Sequence, residues 1–373
     1  MKFETAESVT LGHPDKLADY IADSILDECL MQDPNSRVAC EVLIAHDTLV
    51  IAGEITADAE LNSAEIAEKA IRRAGYEPPR RIYRDIVEQS YDISDAVDGG
   101  EEQGAGDQGI VYGYATDETL SRLPLATDLA HRLTDAMMQL IGYGPDGKAQ
   151  VTVAFTDSGD FSHVDSVLVS IQHPEDATAD EISAAVLNNV IKPAIGELLT
   201  DQTEIIINPS GRFVLGGFEA DAGITGRKLM VDTYGGLAHH GGGAMSGKDP
   251  SKVDRSGAYM ARYIANTIVQ SRLATKCEIS IAYAIGKPQP TMVEVNTFGS
   301  GEYPDSTITE AVKKTFDFTP AGITEKLNLK HIRYAQTAAR GHFGAEKDLP
   351  WERVTISDAQ SLRSAVEAQG EAR

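Results

Sequence analysis

Residues 37–56 read RVACEVLIAHDTLVIAGEIT, two nine-residue apolar runs separated by His46-Asp47. Runs rich in Val, Ile and Leu on either side of a two-residue break predict an antiparallel hairpin. With His46 and Asp47 as the turn, residues whose numbers sum to 93 stand opposite each other. Glu41 then opposes Ala52 and Glu54 opposes Ala39, which puts both glutamates on one face. Carboxylates inside otherwise apolar strands need a partner: a monovalent cation, an ammonium group or an arginine.

Working outward, helices flank the hairpin. One runs from about Pro14 to Met31, with Leu17, Ile21, Ile25 and Cys29 in one stripe. The other is capped by Ser63 and ended by Gly75. The same helix–strand–strand–helix plan recurs twice. A helix from about Asp128 to Ile141 precedes strands AQVTVAFT and HVDSVLVSIQ and a helix from Ala179 to Ile191, which Pro193 should stop. A helix from about Asp254 to Val269 precedes KCEISIAYAIG, PTMVEVNTF and a helix from Ser306 to Phe316. Three units of one plan predict an α+β protein of three similar domains, each a sheet packed with helices on one face. The expected divisions are 1–103, 104–213 and 214–373.

The chain has 373 residues, 42% of them hydrophobic, and a net charge of −24. Such a surface repels nucleic acid and anionic lipid, so neither is an expected partner. No apolar run is long enough to span a membrane, and MKFETAESVT lacks the apolar centre of a signal peptide. Cys29, Cys40 and Cys277 form neither a metal spacing nor a disulfide framework, which predicts a cytoplasmic protein. Residues 212–255 carry six Lys/Arg against five Asp/Glu, the place in this acidic chain for an anionic ligand.

That stretch ends in HHGGGAMSGKDPSKVDRS, residues 239–256. Glycines allow close backbone approach, lysines and Arg255 suit phosphate oxygens, and aspartates suit Mg²⁺. Gly242–Lys248 has the spacing of a P-loop, but Asp249 follows where a Ser or Thr would hold Mg²⁺, so a P-loop is not expected. GHPDK at 12–16 opens a helix, where free N–H groups attract anions; His13 can donate to phosphate and Asp15 can hold Mg²⁺. Asp19, Asp23 and Asp27 continue from Asp15 every fourth residue and predict a solvated acidic face. DGGEEQGAGDQG at 98–109 suits a lid, with Asp107 and Gln108 near its hinge. Glycine turns at 208–213 and 221–228 present Arg212, Arg227 and Lys228, and Phe213 could stack on a base.

GHPDK, GAGDQG at 104–109 and GGGAMSGKDPSKVDRS at 241–256 closely resemble S-adenosylmethionine synthetases, and the resemblance runs from about Glu4 to Trp351. It implies three similar domains about a pseudo-threefold axis and a homodimer or dimer of dimers with active sites at the dimer interface. It implies that ATP and L-methionine react by sulfur attack on the ribose 5′ carbon, with the displaced triphosphate then cleaved to pyrophosphate and phosphate. Two Mg²⁺ and a K⁺ are implied as cofactors. By resemblance Asp15 and Asp254 hold Mg²⁺ and Glu41 holds K⁺. His13, Asp146, Lys148, Arg212, Phe213, Asp221, Arg227, Lys228, Ala244 and Lys248 match nucleotide and phosphate contacts. Glu54, Gln89, Asp107, Asp221 and Lys252 match methionine contacts. His13, Lys148, Arg227, Lys248 and Asp254 are the residues expected to carry the chemistry.

Overall fold

A computed structural model describes residues 1–89, 103–344 and 348–370. Of the three expected units, the first (1–103) contains β1 (Lys2–Val9), α1 (Pro14–Gln32), β2 (Arg37–Ala45), β3 (Thr48–Thr56), α2 (Ser63–Arg73) and β4 (Arg81–Val87). The second contains β5 (Gly109–Thr116), α3 (Leu125–Met138), β6 (Gly147–Phe155), β7 (Phe161–Ile171), α4 (Ala179–Val186) and β8 (Glu204–Ile207). The third contains β9 (Gly223–Ile224), α5 (Val253–Gln270), β10 (Lys276–Tyr283), β11 (Met292–Asn296), α6 (Asp305–Thr315), α7 (Pro320–Lys326) and α8 (Ile356–Glu367).

The opening hairpin forms in the expected register, from Arg37↔Thr56 to Ala45↔Thr48, with His46 at φ 48° in the turn. Val38, Cys40, Val42 and Ile44 are buried while Glu41 and Leu43 lie on the open face, as a period of two requires. All three helix–strand–strand–helix units are present, and the fold is α+β with sheets packed by helices.

The sheets are not built from contiguous segments. Each hairpin receives an antiparallel edge strand from another segment: β1 joins β6, β5 joins β10, and β9 joins β2. The sheet orders are β1-β6-β7-β8, β11-β10-β5 and β4-β3-β2-β9. These donated strands tie the segments together cyclically. Sequence reading misses them, and it also misses β4 and β8, which pair parallel to β3 and β7. A pattern read locally cannot show a strand whose partner is a hundred residues away. β4 in particular is a mostly exposed edge without a continuous apolar run.

Three local expectations are corrected. The cap of α2 is Asn62, whose side chain accepts the Glu65 N–H, rather than Ser63. Pro193 does not stop the helix that begins with α4. The chain widens into a π-turn at Leu187–Ile191, with the Lys192 N–H reaching back to the Leu187 carbonyl, and runs helically to Ile195. That wider turn accommodates a residue that has no N–H of its own to give. The acidic side of α1 is not solvated: Asp19 and Asp23 are 0% exposed and Asp27 is 8%. Segments from the C-terminal third cover it, so α1 is buried nearly all round.

Trp351, the single tryptophan, is fully buried and stacks on Tyr259 of α5 at 3.6 Å. Among the described residues no helix is long and apolar enough to cross a membrane.

Candidate active site

Pro14 starts α1, and His13 caps it, its Nδ1 accepting the Asp15 N–H at 3.2 Å. That bond leaves the proton of a neutral ring on Nε2, facing away from the helix. Burial, and then the Lys228 charge, pushes the His13 pKa down to about 4, so the ring is a neutral donor at physiological pH. Asp15 is 1% exposed. Its Oδ1 accepts the Ile224 N–H at 2.9 Å and its Oδ2 accepts from Lys228 at 2.6 Å, with Arg227 Nε 3.6 Å from Oδ1. Burial opposes the Asp15 charge; the Lys228 ammonium and the Ile224 N–H outweigh it and hold the carboxyl below its usual range.

Gly12 brings this helix start against the strand that carries Lys148. A Cβ on Gly12 would lie 2.3 Å from the Pro145 carbonyl oxygen, so only glycine allows the approach. Asp146 is buried and accepts the Gly217 N–H at 2.7 Å; burial pushes its pKa up to about 6. Lys148 reaches Glu7 at 2.7 Å, and its charge, like that of Asp221, acts on His13. The structure thus gathers His13, Asp15, Asp146, Lys148, Asp221, Arg227 and Lys228 around the N-terminus of α1.

A second set forms where the glycine-rich stretch meets α5. Lys248 pairs with Asp254 at 2.5 Å, and its backbone bridges Ala39 on β2. Gly243 packs on Asp254 so closely that a Cβ would lie 2.1 Å from Oδ1. Burial pushes the Glu41 carboxyl upward, opposed by the Lys248 charge. Glu54 stands opposite Ala39 on the same open sheet face. Ala244 packs against Gly226, the residue before Arg227, since a Cβ on Gly226 would lie 2.5 Å from its own Cβ. Among the described residues no hydrogen bond or ion pair joins the two sets directly.

Other expected site residues lie apart from these contacts. Arg212 pairs with Glu175 at 2.7 Å and lines a cavity of about 310 Å³ with His173 and Ile182. Phe213 donates its N–H to His173 Nε2 at 2.9 Å. Lys252 pairs with Asp249 at 2.5 Å. Gln89 donates its N–H to Thr56 Oγ1 at 3.0 Å, and Asp107 is exposed with its Oδ1 on the Gln108 N–H. Residues 98–102 of the lid motif lie outside the described residues.

Arg255 is a correction. Expected to suit phosphate, it is fully buried, donates to Asp23 at 2.7 Å and to the Lys248 carbonyl at 2.9 Å, and stacks over Tyr334 at 4.3 Å. It locks the loop to α1 instead of meeting a ligand. Breaking such a buried pair by removing one partner costs about 3–5 kcal/mol.

Profiles of three domains match this chain: the S-adenosylmethionine synthetase N-terminal domain at 1–97, the central domain at 102–213 and the C-terminal domain at 215–353. The chain belongs to the S-adenosylmethionine synthetase family. It is 46% identical to an S-adenosylmethionine synthase of Desulfosudis oleivorans over 95% of this chain and 96% of that one. Against the Akkermansia muciniphila protein of the same name the identity is 46% over 96% and 97%. Against that of Staphylococcus epidermidis it is 44% over 98% of each.

The motifs at 12–16 and 241–256 sit on the two sets just described, and the aspartates between them were read wrongly from sequence. Asp19 accepts the Gly226 N–H at 2.8 Å, Asp23 the Gly247 N–H at 2.7 Å, and Asp27 the Tyr334 N–H at 2.6 Å. One helix side therefore holds the loops that carry Arg227, Lys228 and Lys248. The available signal was the abundance of Ala and Leu on the other sides of α1, including Ala18, Ala22 and Leu26, which marks a helix buried all round.

Proposed function

We propose that this chain is a methionine adenosyltransferase that forms S-adenosylmethionine from ATP and L-methionine and then cleaves the triphosphate to pyrophosphate and phosphate. The observation that carries the reading is the set at the start of α1: a neutral His13 with Nε2–H outward, beside Lys148, Arg227 and Lys228. A thioether sulfur carries no proton, so displacement needs no general base. What it needs is fixed positive charge and donors where the leaving triphosphate gathers charge. His13, Asp146, Lys148, Arg212, Phe213, Asp221, Arg227, Lys228, Ala244 and Lys248 take the nucleotide. Glu54, Gln89, Asp107, Asp221 and Lys252 take methionine. His13, Lys148, Arg227, Lys248 and Asp254 act on the reacting groups.

No cluster of three or more His, Cys, Asp or Glu able to cage a metal occurs among the described residues. Asp15 and Asp254 each offer a single carboxylate beside the cations, which fits Mg²⁺, an ion that characteristically takes one or two protein carboxylates and completes its shell with phosphate oxygens and water. Asp15 and Asp254 would each hold one Mg²⁺, and Glu41 a K⁺; the metal supplies neutralisation of triphosphate charge.

The working unit is a homodimer or a dimer of dimers. Ile224, Leu43, Val50 and Tyr83 form an apolar row across the open face of the β4-β3-β2-β9 sheet, with Val87 four residues along from Tyr83 on the same face. Leu43, Tyr83 and Val87 are 37%, 56% and 57% exposed, a surface suited to a second copy that completes the site. The three free buried thiols support a cytoplasmic location. We keep the domain divisions at 103/104 and 213/214, with β1, β5 and β9 exchanged across them.

The test is product analysis with ATP, Mg²⁺ and K⁺, first without and then with L-methionine. S-adenosylmethionine with pyrophosphate and phosphate is expected only in the second case; ADP without a sulfonium product would refute the reading.

A further inference from the structure

Lys16 belongs to the GHPDK motif but faces away from His13 and Asp15. Successive residues on a helix point about 100° apart, and this step takes the side chain of Lys16 into the interior, where it is fully buried. Its ammonium lies 3.0 Å from Asp19 Oδ2 and pairs with Asp232 Oδ1 more closely still. Both carboxylates are themselves buried. His342 also faces Asp232, with Nε2 at 3.9 Å and its backbone N–H on the Asp232 carbonyl at 2.8 Å.

The two carboxylates grip opposite ends of one short segment. Asp19 Oδ1 accepts the Gly226 N–H at 2.8 Å, and Gly226 is at φ 75°. Asp232 closes the helical turn Leu229–Asp232, with its N–H on the Lys228 carbonyl at 2.8 Å. Between these anchors stand Arg227 and Lys228, the two cations that meet Asp15. We propose that Lys16, with Asp19 and Asp232, is a positioning device for the triphosphate site: it fixes the 226–232 segment so that Arg227 and Lys228 are already in place, and Lys16 itself touches no phosphate.

The physical case rests on cost and geometry. Two carboxylates and one ammonium out of water carry a desolvation penalty that apolar side chains of similar volume would avoid. Stability alone therefore does not account for the cluster, whereas orientation does. Arg227 and Lys228 are long and rotamer-rich, and a backbone fixed at both ends reduces what they lose on meeting a polyanion. Preorganised charge is also what stabilises a developing triphosphate without reorganisation.

This inference rests on the reading that Arg227 and Lys228 meet the triphosphate, so its test separates the two. Asp19→Ala removes the acceptor for Gly226 and leaves Lys16 balanced by Asp232; Asp19→Asn keeps an acceptor oxygen. Affinity for inorganic tripolyphosphate with Mg²⁺ is measured by calorimetry, together with KM for ATP and for methionine and with amide exchange at Gly226. Asp19→Ala is expected to speed Gly226 exchange about tenfold, weaken tripolyphosphate binding and raise KM for ATP by a similar factor, and leave KM for methionine unchanged. Asp19→Asn is expected to restore all three to within about twofold. Should the alanine variant not fold, Asp19→Glu displaces the same acceptor by one methylene and gives the same comparison. Unchanged Gly226 exchange, or unchanged tripolyphosphate affinity in a wild type that binds it, overturns the positioning role. A wild type that binds no tripolyphosphate fails the functional reading, while Gly226 exchange still decides whether the tether exists.

Discussion

Asp249 stands where a P-loop would have Ser or Thr, so Asp249→Ser completes that motif in sequence. The structure predicts that the change creates no ATPase and loosens the loop instead. Asp249 is 1% exposed. Its Oδ2 accepts the Val38 N–H at 2.7 Å, its Oδ1 the Ser251 N–H at 2.9 Å, and its own N–H returns to the Val38 carbonyl at 3.0 Å. Lys252 completes the carboxylate's partners. A serine hydroxyl can keep the local Ser251 bond but cannot reach Val38. Leaving that buried amide unpaired costs about 2 kcal/mol, and the partly exposed Lys252 pair adds about 1 kcal/mol. A loss of about 3 kcal/mol is about a hundredfold in an opening equilibrium. Native-state hydrogen exchange at the Val38 amide should therefore speed up by about that factor, with ADP formation still at background. Unchanged Val38 exchange, or a gain of methionine-independent ATP hydrolysis, would refute the view of Asp249 as a strut.

Lys248→Met should leave circular dichroism unchanged and lower turnover about a hundredfold, the loss of ~3 kcal/mol of charge stabilisation; unaltered turnover removes Lys248 from the reaction. Asp15→Asn should raise the Mg²⁺ concentration needed for half-maximal rate, and an unaltered Mg²⁺ titration counts against a metal role. Burial, and then the Asp23 charge, pushes the Asp27 pKa up to about 7, against the pull of the Ala335 and Tyr334 N–H groups and of Arg255. A raised carboxyl pKa means the folded state binds the extra proton, so this contribution is full below the unfolded value near 4 and is lost as pH rises through about 7. Asp27→Asn should flatten the stability profile between about pH 4 and 7 by up to about 1.4 kcal/mol per pH unit; denaturant midpoints that keep the wild-type slope would exclude Asp27 as its source.

The sequence alone determined whatever depends on near neighbours. The hairpin register from Arg37 to Thr56 followed from the two-residue turn and the period of two, and the structure has it residue for residue. The three repeated units and the motifs at 12–16 and 241–256 were equally legible, because each is a short run of residues whose types suit one conformation or one ligand. Tertiary structure decided which side of α1 faces water. Asp19, Asp23 and Asp27 look like a solvated stripe until Gly226, Gly247 and Tyr334, each about two hundred residues or more away, bring their N–H groups to them. It likewise decided that Arg255 is a strut and Lys248 remains partly open, though both are cations of the stretch 239–256. A local pattern states that a charge is present. Only the chain that returns from far along the sequence settles whether that charge meets solvent, a ligand or a buried partner.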